Sequence, residues 1–310
     1  MPQKQASATS FFPAAAPVRT QCVSLLSDMK FLVYSQNGGV PQPGVLAGDR
    51  VVSIAGAGFA DLLSVIQGGS FARAVVDAHL KQGHSGVPLK DVKLHAPLPN
   101  PPKLFMVGLN YRDHAIESGM AIPTVPAVFS KFNSSIIGPG DAIVLPQAST
   151  QPDYECEFAF IIGKRGKHIA KENWRDYIFG YTAINDVSAR DLQLATSQWL
   201  LGKTCDTFCP MGPWIVTADE IADPHNLQIK TTINGEVLQS SNTKELIFNI
   251  PELLDYMSRA LTLEPGDTVS TGTPPGVGFA RKPPRYLRHG DDCVITVEGI
   301  GDLRNPVVRE

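Results

Sequence analysis

The chain has 310 residues, of which 43% are hydrophobic, so it is long enough to bury one large core or one large and one small core. Its formal net charge of −3 provides no basic surface for phosphate groups, which excludes nucleic acid as a predicted partner. No apolar run approaches the roughly 20 residues that cross a bilayer, so no membrane contact is predicted. The composition is typical of an ordinary globular protein.

The first 28 residues are rich in Ala, Ser and Pro, and they contain no acidic residue before Asp28. We predict that residues 1–28 form a loose extension. Their composition faintly resembles that of a mitochondrial transit peptide, but arginines are few and no amphipathic helix is evident. The predicted location is therefore the cytoplasm, with the mitochondrial matrix as the alternative.

The five cysteines are widely spaced, form no CxxC pair and follow no secretory segment, which indicates a reducing compartment. Cys205 and Cys209 resemble half of a zinc site. No second Cys or His pair follows at ligand spacing, so we predict buried free thiols and no structural zinc.

Residues 29–95 predict a small β-rich domain, with short strands first and then apolar-periodic helices at FADLLSVIQGG and FARAVVDAHLKQG. The proline-rich segment LHAPLPNPPK can continue neither element, so we place a domain boundary near residue 95.

Residues 96–310 predict a catalytic domain dominated by strands, in runs such as KLFMVGLN, ECEFAFIIGK and CVITVEG. Helices are predicted near DHAIESG, NDVSARDLQ and IPELLDYMSRAL. They are too few for a doubly wound βαβ sheet. The predicted class is α+β, mostly β, with a curled mixed or antiparallel sheet.

The segment DYECEF contains acids at every second position. In a strand, alternation places Asp153, Glu155 and Glu157 on one face. Neighbouring carboxylates in an apolar strand repel each other and favour a bound cation, whereas a solvated strand face is the alternative. The hard oxygen ligands suit Mg²⁺, Mn²⁺ or Ca²⁺ rather than zinc.

Two further segments contain candidate site residues. In NDVSARDLQ, Asn185 or Asp186 is predicted to cap a helix whose Arg190 and Gln193 present donors to an anionic ligand. A capped surface helix is the alternative. In NYRDHAIESG, a short helix places His114 and Glu117 on one face, as in an acid–base dyad, although isolated surface His/Glu pairs are common. The segment TGTPPGVG lacks the spacing of a nucleotide-binding loop and predicts a tight turn near the pocket.

Together, NYRDHAIE, DYECEF, NDVSARDLQ, LGKT and TGTPPGVG occur in the order typical of the catalytic domain of the fumarylacetoacetate hydrolase family. The resemblance covers roughly residues 100–308 and is greatest to the subgroup of domain-containing protein two. It implies Mg²⁺ or Mn²⁺ as the metal, and usually a homodimer. The implied metal ligands are Glu155, Glu157 and Asp186; the implied catalytic residues are His114, Glu117 and Lys203; the implied substrate-binding residues are Tyr111, Lys131, Arg190, Gln193 and Thr273.

A small 2-oxo acid or 1,3-dicarbonyl acid is the implied substrate, whose carbonyl would be polarised by the metal. The same kind of enolate intermediate would form in hydrolytic C–C cleavage of an acylpyruvate, in decarboxylation of oxaloacetate and in keto–enol tautomerisation of oxaloacetate. The subgroup resemblance favours the tautomerisation. The alternatives are a 2-hydroxymuconate-type isomerase and a catalytically inactive metal-binding scaffold of the same fold.

Overall fold

Apolar runs form short strands distributed along the described part of the chain. The computed structural model describes residues 29–117 and 119–310, so the predictions for residues 1–28, Cys22 included, lie outside the described residues. In chain order the strands are β1 (Lys30–Ser35), β2 (Gln42–Ala47), β3 (Arg50–Ser53), β4 (Val87–Pro88), β5 (Lys93–His95), β6 (Leu104–Gly108), β7 (Ala127–Ser130), β8 (Ile136–Ile137), β9 (Ile143–Leu145), β10 (Pro152–Asp153), β11 (Cys156–Ile162), β12 (Ile178–Asn185), β13 (Ser188–Ala189), β14 (Cys209–Thr217), β15 (Gln228–Ile233), β16 (Glu236–Asn242), β17 (Thr268–Ser270), β18 (Asp292–Val297) and β19 (Gly301–Arg309).

The helices are short apart from the first, which is interrupted at Gly69 (φ 54°, ψ −136°), where the sequence predicts the junction of two helices. Within the described residues, no helix is long and apolar enough to span a membrane. The α-helices are α1 (Leu62–Leu80), α2 (Arg112–Glu117), α3 (Arg190–Gln193), α4 (Leu200–Lys203) and α5 (Ile250–Ala260), and 3-10 helices cover Ala55–Ala57, Leu89–Asp91, Asn133–Ser135, Lys171–Tyr177, Thr243–Glu245 and Gly278–Ala280.

The large sheet has the strand order β4-β3-β2-β1-β14-β12-β11-β17-β6-β7, and a smaller sheet has the order β16-β15-β18-β19-β9. Most neighbours are antiparallel, but β17 and β6 are parallel, as are β19 and β9. The prediction of a mostly β, mixed α+β fold is confirmed.

Strand β11 lies between two hydrophobic clusters. Phe158 and Phe160 point into the larger cluster, whereas Ala159 and Ile161 point into the second, which packs against α1. A strand buried on both faces positions its side chains rigidly, because each is packed against neighbours. The candidate site lies at the beginning of this strand.

The predicted domain boundary near residue 95 coincides with no break in the large sheet. Strand β1 pairs with β14, with Lys30 opposite Val216, so residues 29–95 and 96–310 share one sheet. They also share the second hydrophobic cluster, in which Phe31 and Ile215 both take part. The division into two domains stays a prediction.

The prediction of a helix capped by Asn185 or Asp186 is wrong. Asn185 ends β12, Asp186 follows it, and α3 begins at Arg190 after Ala189, whose side chain makes no capping hydrogen bond. Strand β12 is absent from the predicted elements. It is buried along its entire length, so it lacks the alternation that identifies a half-exposed strand.

Candidate active site

Three carboxylates converge where β11 begins and β12 ends. Glu157 lies in β11, Glu155 directly precedes it, and Asp186 directly follows β12. The antiparallel pairing of the two strands brings them together, and the backbone N–H of Asp186 donates to the carbonyl of Glu155 at 2.9 Å. One oxygen from each carboxylate lies within 4.8 Å of the others, and all three residues are buried. Such a cluster requires nearby positive charge.

Three basic side chains contact two of these carboxylates. Lys203 Nζ lies 2.7 Å from Glu155 Oε2 and 2.7 Å from Asp186 Oδ2. Lys131 Nζ lies 2.6 Å from Asp186 Oδ1, and Arg190 Nη2 lies 2.6 Å from Glu155 Oε1. Burial alone would lower the pKa of Lys203, but Asp186 and Glu155 together raise it. The ammonium group therefore stays charged inside the protein.

Glu157 is in a different electrostatic position. Its carboxylate accepts hydrogen bonds from Ser270 Oγ and from the backbone N–H of Gly272, which are both neutral groups. Burial raises its pKa, and the charges of Asp186 and Glu155 raise it further. For Glu155, burial acts in the same direction, but the adjacent ammonium and guanidinium groups outweigh it and lower the pKa. An added cation would therefore stabilise the charged form of Glu157 more than that of the other two carboxylates in the cluster.

Asp153 connects Arg190 to a segment of residues 276–282, which we call the wall segment. Its Oδ2 accepts from Arg190 Nε and from the backbone N–H of Phe279, each at 2.9 Å, and its Oδ1 accepts from the N–H of Gly278 at 2.7 Å. Asp153 lies in β10, which pairs with β13, and it shares the Arg190 guanidinium with Glu155.

The His114–Glu117 pair lies on α2, with Nδ1 of the imidazole 3.4 Å from Glu117 Oε2. The backbone N–H of Gly276, at the start of the wall segment, donates to both carboxylate oxygens of Glu117 at 3.1 and 3.0 Å. Gly276 has a φ of 98°, and a Cβ there would lie 2.1 Å from the carbonyl oxygen of Leu238, so only glycine fits. Glu117 is therefore fixed from a second element and can orient the imidazole.

A cavity of about 480 Å³ joins the acidic cluster to the His114–Glu117 pair. Charged and polar side chains form part of the cavity lining, and apolar side chains form much of the remainder, as in typical small-molecule sites. The lining residues are Val107, Gly108, Leu109, His114, Glu117, Met120, Phe129, Glu155, Glu157, Asp186, Arg190, Gln193, Leu194, Trp199, Lys203, Thr273, Val277, Phe279, Ala280 and Lys282.

Comparison with known proteins agrees with this geometry. Residues 103–308 match the family described as fumarylacetoacetate (FAA) hydrolase C-terminal. The chain belongs to the fumarylacetoacetate hydrolase family. Among curated relatives, the mitochondrial oxaloacetate tautomerase Fahd2a of Rattus norvegicus is 50% identical over 223 residues, 72% of this chain and 71% of that protein. The mitochondrial oxaloacetate tautomerase FAHD2A of Homo sapiens is 48% identical over 224 residues, 72% of this chain and 71% of that protein.

Solved structures of family members share the fold. A putative HpcE protein from Mycobacterium smegmatis superposes with a TM-score of 0.79 at 35% identity, covering 89% of this chain and 99% of that chain. Maleylpyruvate hydrolase from Sphingobium sp. SYK-6, solved with manganese(II) and pyruvate, gives 0.77 at 33% identity, covering 91% of this chain and 99% of that chain. With such relatives, the chain is an enzyme of this family.

Most of the residues that sequence reasoning selects for the site lie together in the cavity. Tyr111 and Lys131 are the exceptions, because neither lines it. Lys131 is buried and binds Asp186 and the carbonyl of Val187. Tyr111 is fully buried in the larger hydrophobic cluster. The predicted residues that line the cavity are His114, Glu117, Glu155, Glu157, Asp186, Arg190, Gln193, Lys203 and Thr273.

Sequence reasoning missed Lys282 and the apolar walls formed by Phe129, Trp199 and Phe279. A signal for Lys282 exists in the basic run ARKPPR, which directly follows TGTPPGVGF. The aromatic residues carry no comparable signal, because the hydrophobic core uses the same residue types.

Cys205 and Cys209 are free thiols among the described residues, as predicted; Cys209 is buried, and Cys205 is half-buried. Burial raises the pKa of Cys209 to about 12, which suits an inert core thiol.

Proposed function

We propose that this enzyme interconverts the keto and enol forms of oxaloacetate with the help of a divalent metal ion. The observation that carries the proposal is the buried cluster of Glu155, Glu157 and Asp186 in one cavity with the His114–Glu117 pair. Relatives near 50% identity named oxaloacetate tautomerase support the substrate.

The donor set fits Mg²⁺ or Mn²⁺, with Ca²⁺ as a further candidate, because all three ligands are carboxylates. Glu155, Glu157 and Asp186 would hold the ion. Its fit rests on Glu157, whose buried carboxylate faces two like charges and has no basic partner among the described residues. A bound divalent ion would supply positive charge that stabilises negative charge on the 2-oxo oxygen of the substrate.

The His114–Glu117 pair would carry the proton. Glu117 engages Nδ1 of the imidazole, which leaves Nε2 to take a proton from C3 of the keto form and to deliver it to the enolate oxygen, with the same two transfers reversed for ketonisation. Tautomerisation transfers a proton between C3 and the 2-oxo oxygen, so no water or other reactant is consumed. Lys203, charged and buried beside the acidic cluster, would offset the negative charge that develops on the substrate.

A second candidate is hydrolysis or isomerisation of a longer 2-oxo acid. Family members with solved structures include maleylpyruvate hydrolase and a 5-carboxymethyl-2-hydroxymuconate delta-isomerase. The apolar walls formed by Phe129, Trp199 and Phe279 favour a substrate with a longer carbon chain. Oxaloacetate decarboxylation and a catalytically inactive scaffold are the remaining alternatives.

The decisive experiment uses protein stripped with EDTA and reconstituted with Mg²⁺ or Mn²⁺, then assayed by the ultraviolet absorbance of enol oxaloacetate. We expect metal-dependent decay of the enol, lowered about 10²- to 10⁴-fold by His114→Gln and abolished by Glu157→Gln. The exposed residues His168 and Glu236 provide matched controls in His168→Asn and Glu236→Gln. Pyruvate production would identify a decarboxylase instead, and metal binding without turnover of any 2-oxo acid would favour the scaffold.

We further propose a homodimer in the mitochondrial matrix. Several relatives carry the word mitochondrial in their names, which favours the alternative location over the cytoplasm. Large apolar side chains, including Ile116, Leu194 and Leu201, are exposed in the single chain and suit a subunit interface. Light scattering on the purified protein tests the homodimer. Imaging of the tagged full chain in cells tests the mitochondrial location.

A further inference from the structure

We propose that Lys282 binds the distal carboxylate of a dicarboxylic substrate and so selects dicarboxylic over monocarboxylic 2-oxo acids. This inference rests on the proposed function, which places the 2-oxo acid end of the substrate at the acidic cluster. The supporting feature is a lysine that lines the cavity, is exposed to solvent, and whose ammonium group has no ion pair or hydrogen bond with any described residue.

The other cations of the cavity are already paired. Arg190 contacts both Asp153 and Glu155, and Lys203 contacts Glu155 and Asp186. Each of these two cations is compensated by two carboxylates, so neither carries unpaired charge for a second anionic group. Among the lysines and arginines that line the cavity within the described residues, Lys282 alone has no carboxylate partner.

The backbone that carries Lys282 is firmly anchored. Asp153 accepts hydrogen bonds from the N–H groups of Gly278 and Phe279. The N–H groups of Arg281 and Arg285, which lie on either side of Lys282, both donate to the carbonyl of Gly278, at 3.4 and 3.0 Å. The backbone at Lys282 is therefore fixed, and only the lysine side chain must become ordered when a ligand binds.

The two arginines nearest to Lys282 in the sequence are engaged elsewhere. Arg281 Nη2 lies 3.4 Å from the carbonyl oxygen of Leu238, and Arg285 Nη2 lies 2.8 and 2.9 Å from the two carboxylate oxygens of Asp291. Neither arginine lines the cavity. Lys282 is thus the member of this basic run that is positioned to meet a substrate, and the chemistry that it recognises is a carboxylate.

Binding of two inert 2-hydroxy acids tests the inference without turnover. Malate and lactate share the 2-hydroxy acid group, and only malate has a distal carboxylate. Titration calorimetry of the Mg²⁺-loaded protein is expected to show tighter binding of malate. In Lys282→Met, the ratio of the malate affinity to the lactate affinity should fall roughly tenfold, because losing one partly screened charged hydrogen bond weakens binding by about that factor. Lys282→Arg should restore most of the ratio, because it retains the charge.

The exposed Lys167 has no partner among the described residues and lies outside the cavity, so Lys167→Met controls for the change in net charge. The affinity for malate should also lose part of its salt dependence in Lys282→Met alone. An unchanged ratio in Lys282→Met, or an equal loss for both ligands, overturns the inference. If the preference for malate is lost in Lys282→Met but the wild-type protein leaves oxaloacetate unchanged, the proposed function is refuted and the role of Lys282 is upheld.

Discussion

Asp153→Asn tests whether one buried carboxylate supports both the arginine of the site and the wall segment. Asp153 is fully buried and accepts from Arg190 Nε, from the N–H groups of Gly278 and Phe279, and from the N–H of Tyr154. Each carboxylate oxygen accepts two of these bonds. Whichever way the amide of asparagine is turned, its NH₂ group faces two donors.

The magnitude follows from these contacts. Two buried donors without an acceptor cost about 1–3 kcal/mol each, and breaking a buried ion pair costs about 3–5 kcal/mol. The two costs overlap, so we expect Asp153→Asn to lower the free energy of unfolding by about 4 kcal/mol. Arg190 would retain only Glu155 as a carboxylate partner.

Urea denaturation followed by circular dichroism measures this loss, and an unchanged m-value shows that the unfolding transition itself is the same. Asp176→Asn changes the same functional group on an exposed residue and should shift stability by less than about 0.5 kcal/mol. A loss below about 1 kcal/mol for Asp153→Asn at constant m-value would refute the reasoning, because it would mean that the donors find other acceptors.

Three further predictions concern separate parts of the molecule. Saturating Mg²⁺, at about 100 times its Kd, should stabilise the protein against urea by about 2.7 kcal/mol; Glu157→Gln should abolish this gain, and retention of the gain would exclude Glu157 as a ligand. Burial lowers the pKa of His225 below its usual 6.5, so the unfolded chain takes up the proton first and stability should fall as pH drops from 6.5 towards the folded-state pKa. In His225→Gln this part of the pH dependence should disappear, and stability curves of equal slope would contradict it. At Gly278 an added Cβ would lie 2.0 Å from the carbonyl oxygen of Arg285 and 2.6 Å from Asp153 Oδ1, so Gly278→Ala should displace the wall segment and weaken malate binding, whereas wild-type affinity would show that the segment adapts.

The acidic pair Glu155 and Glu157 could be predicted because alternation is a local property of a strand. The contacts of Asp153 could not, because Arg190, Gly278 and Phe279 lie 37 or more positions away in the sequence. Because Asp186 directly precedes a segment predicted to be helical, the sequence suggested that it caps that helix. The pairing of β11 with β12 instead places its carboxylate beside Glu155. Tertiary contacts decided both positions, and they leave no periodic signal.

The same limit applies to Lys131 and Lys282. The family resemblance assigns Lys131 to the substrate pocket, but its ammonium lies 2.6 Å from Asp186 and is fully buried, so it stabilises the backbone turn that follows β12. Lys282 sits in a basic run that looks like an ordinary solvated surface. Its place in the cavity lining and the contacts of its neighbours distinguish it from Arg281, which contacts the carbonyl of Leu238, and from Arg285, which pairs with Asp291.

The pairing of β1 with β14 bears on how the chain can be shortened. Strand β14 also pairs with β12, which ends next to Asp186, so the first described strand is two strands away from the candidate site. A fragment that begins at residue 96 would leave Ile215 and Val216 of β14 without their partner strand, and exposed sheet edges of this kind promote association between chains. We therefore expect residues 29–95 to protect this sheet from aggregation, and their removal to lower solubility before it affects chemistry.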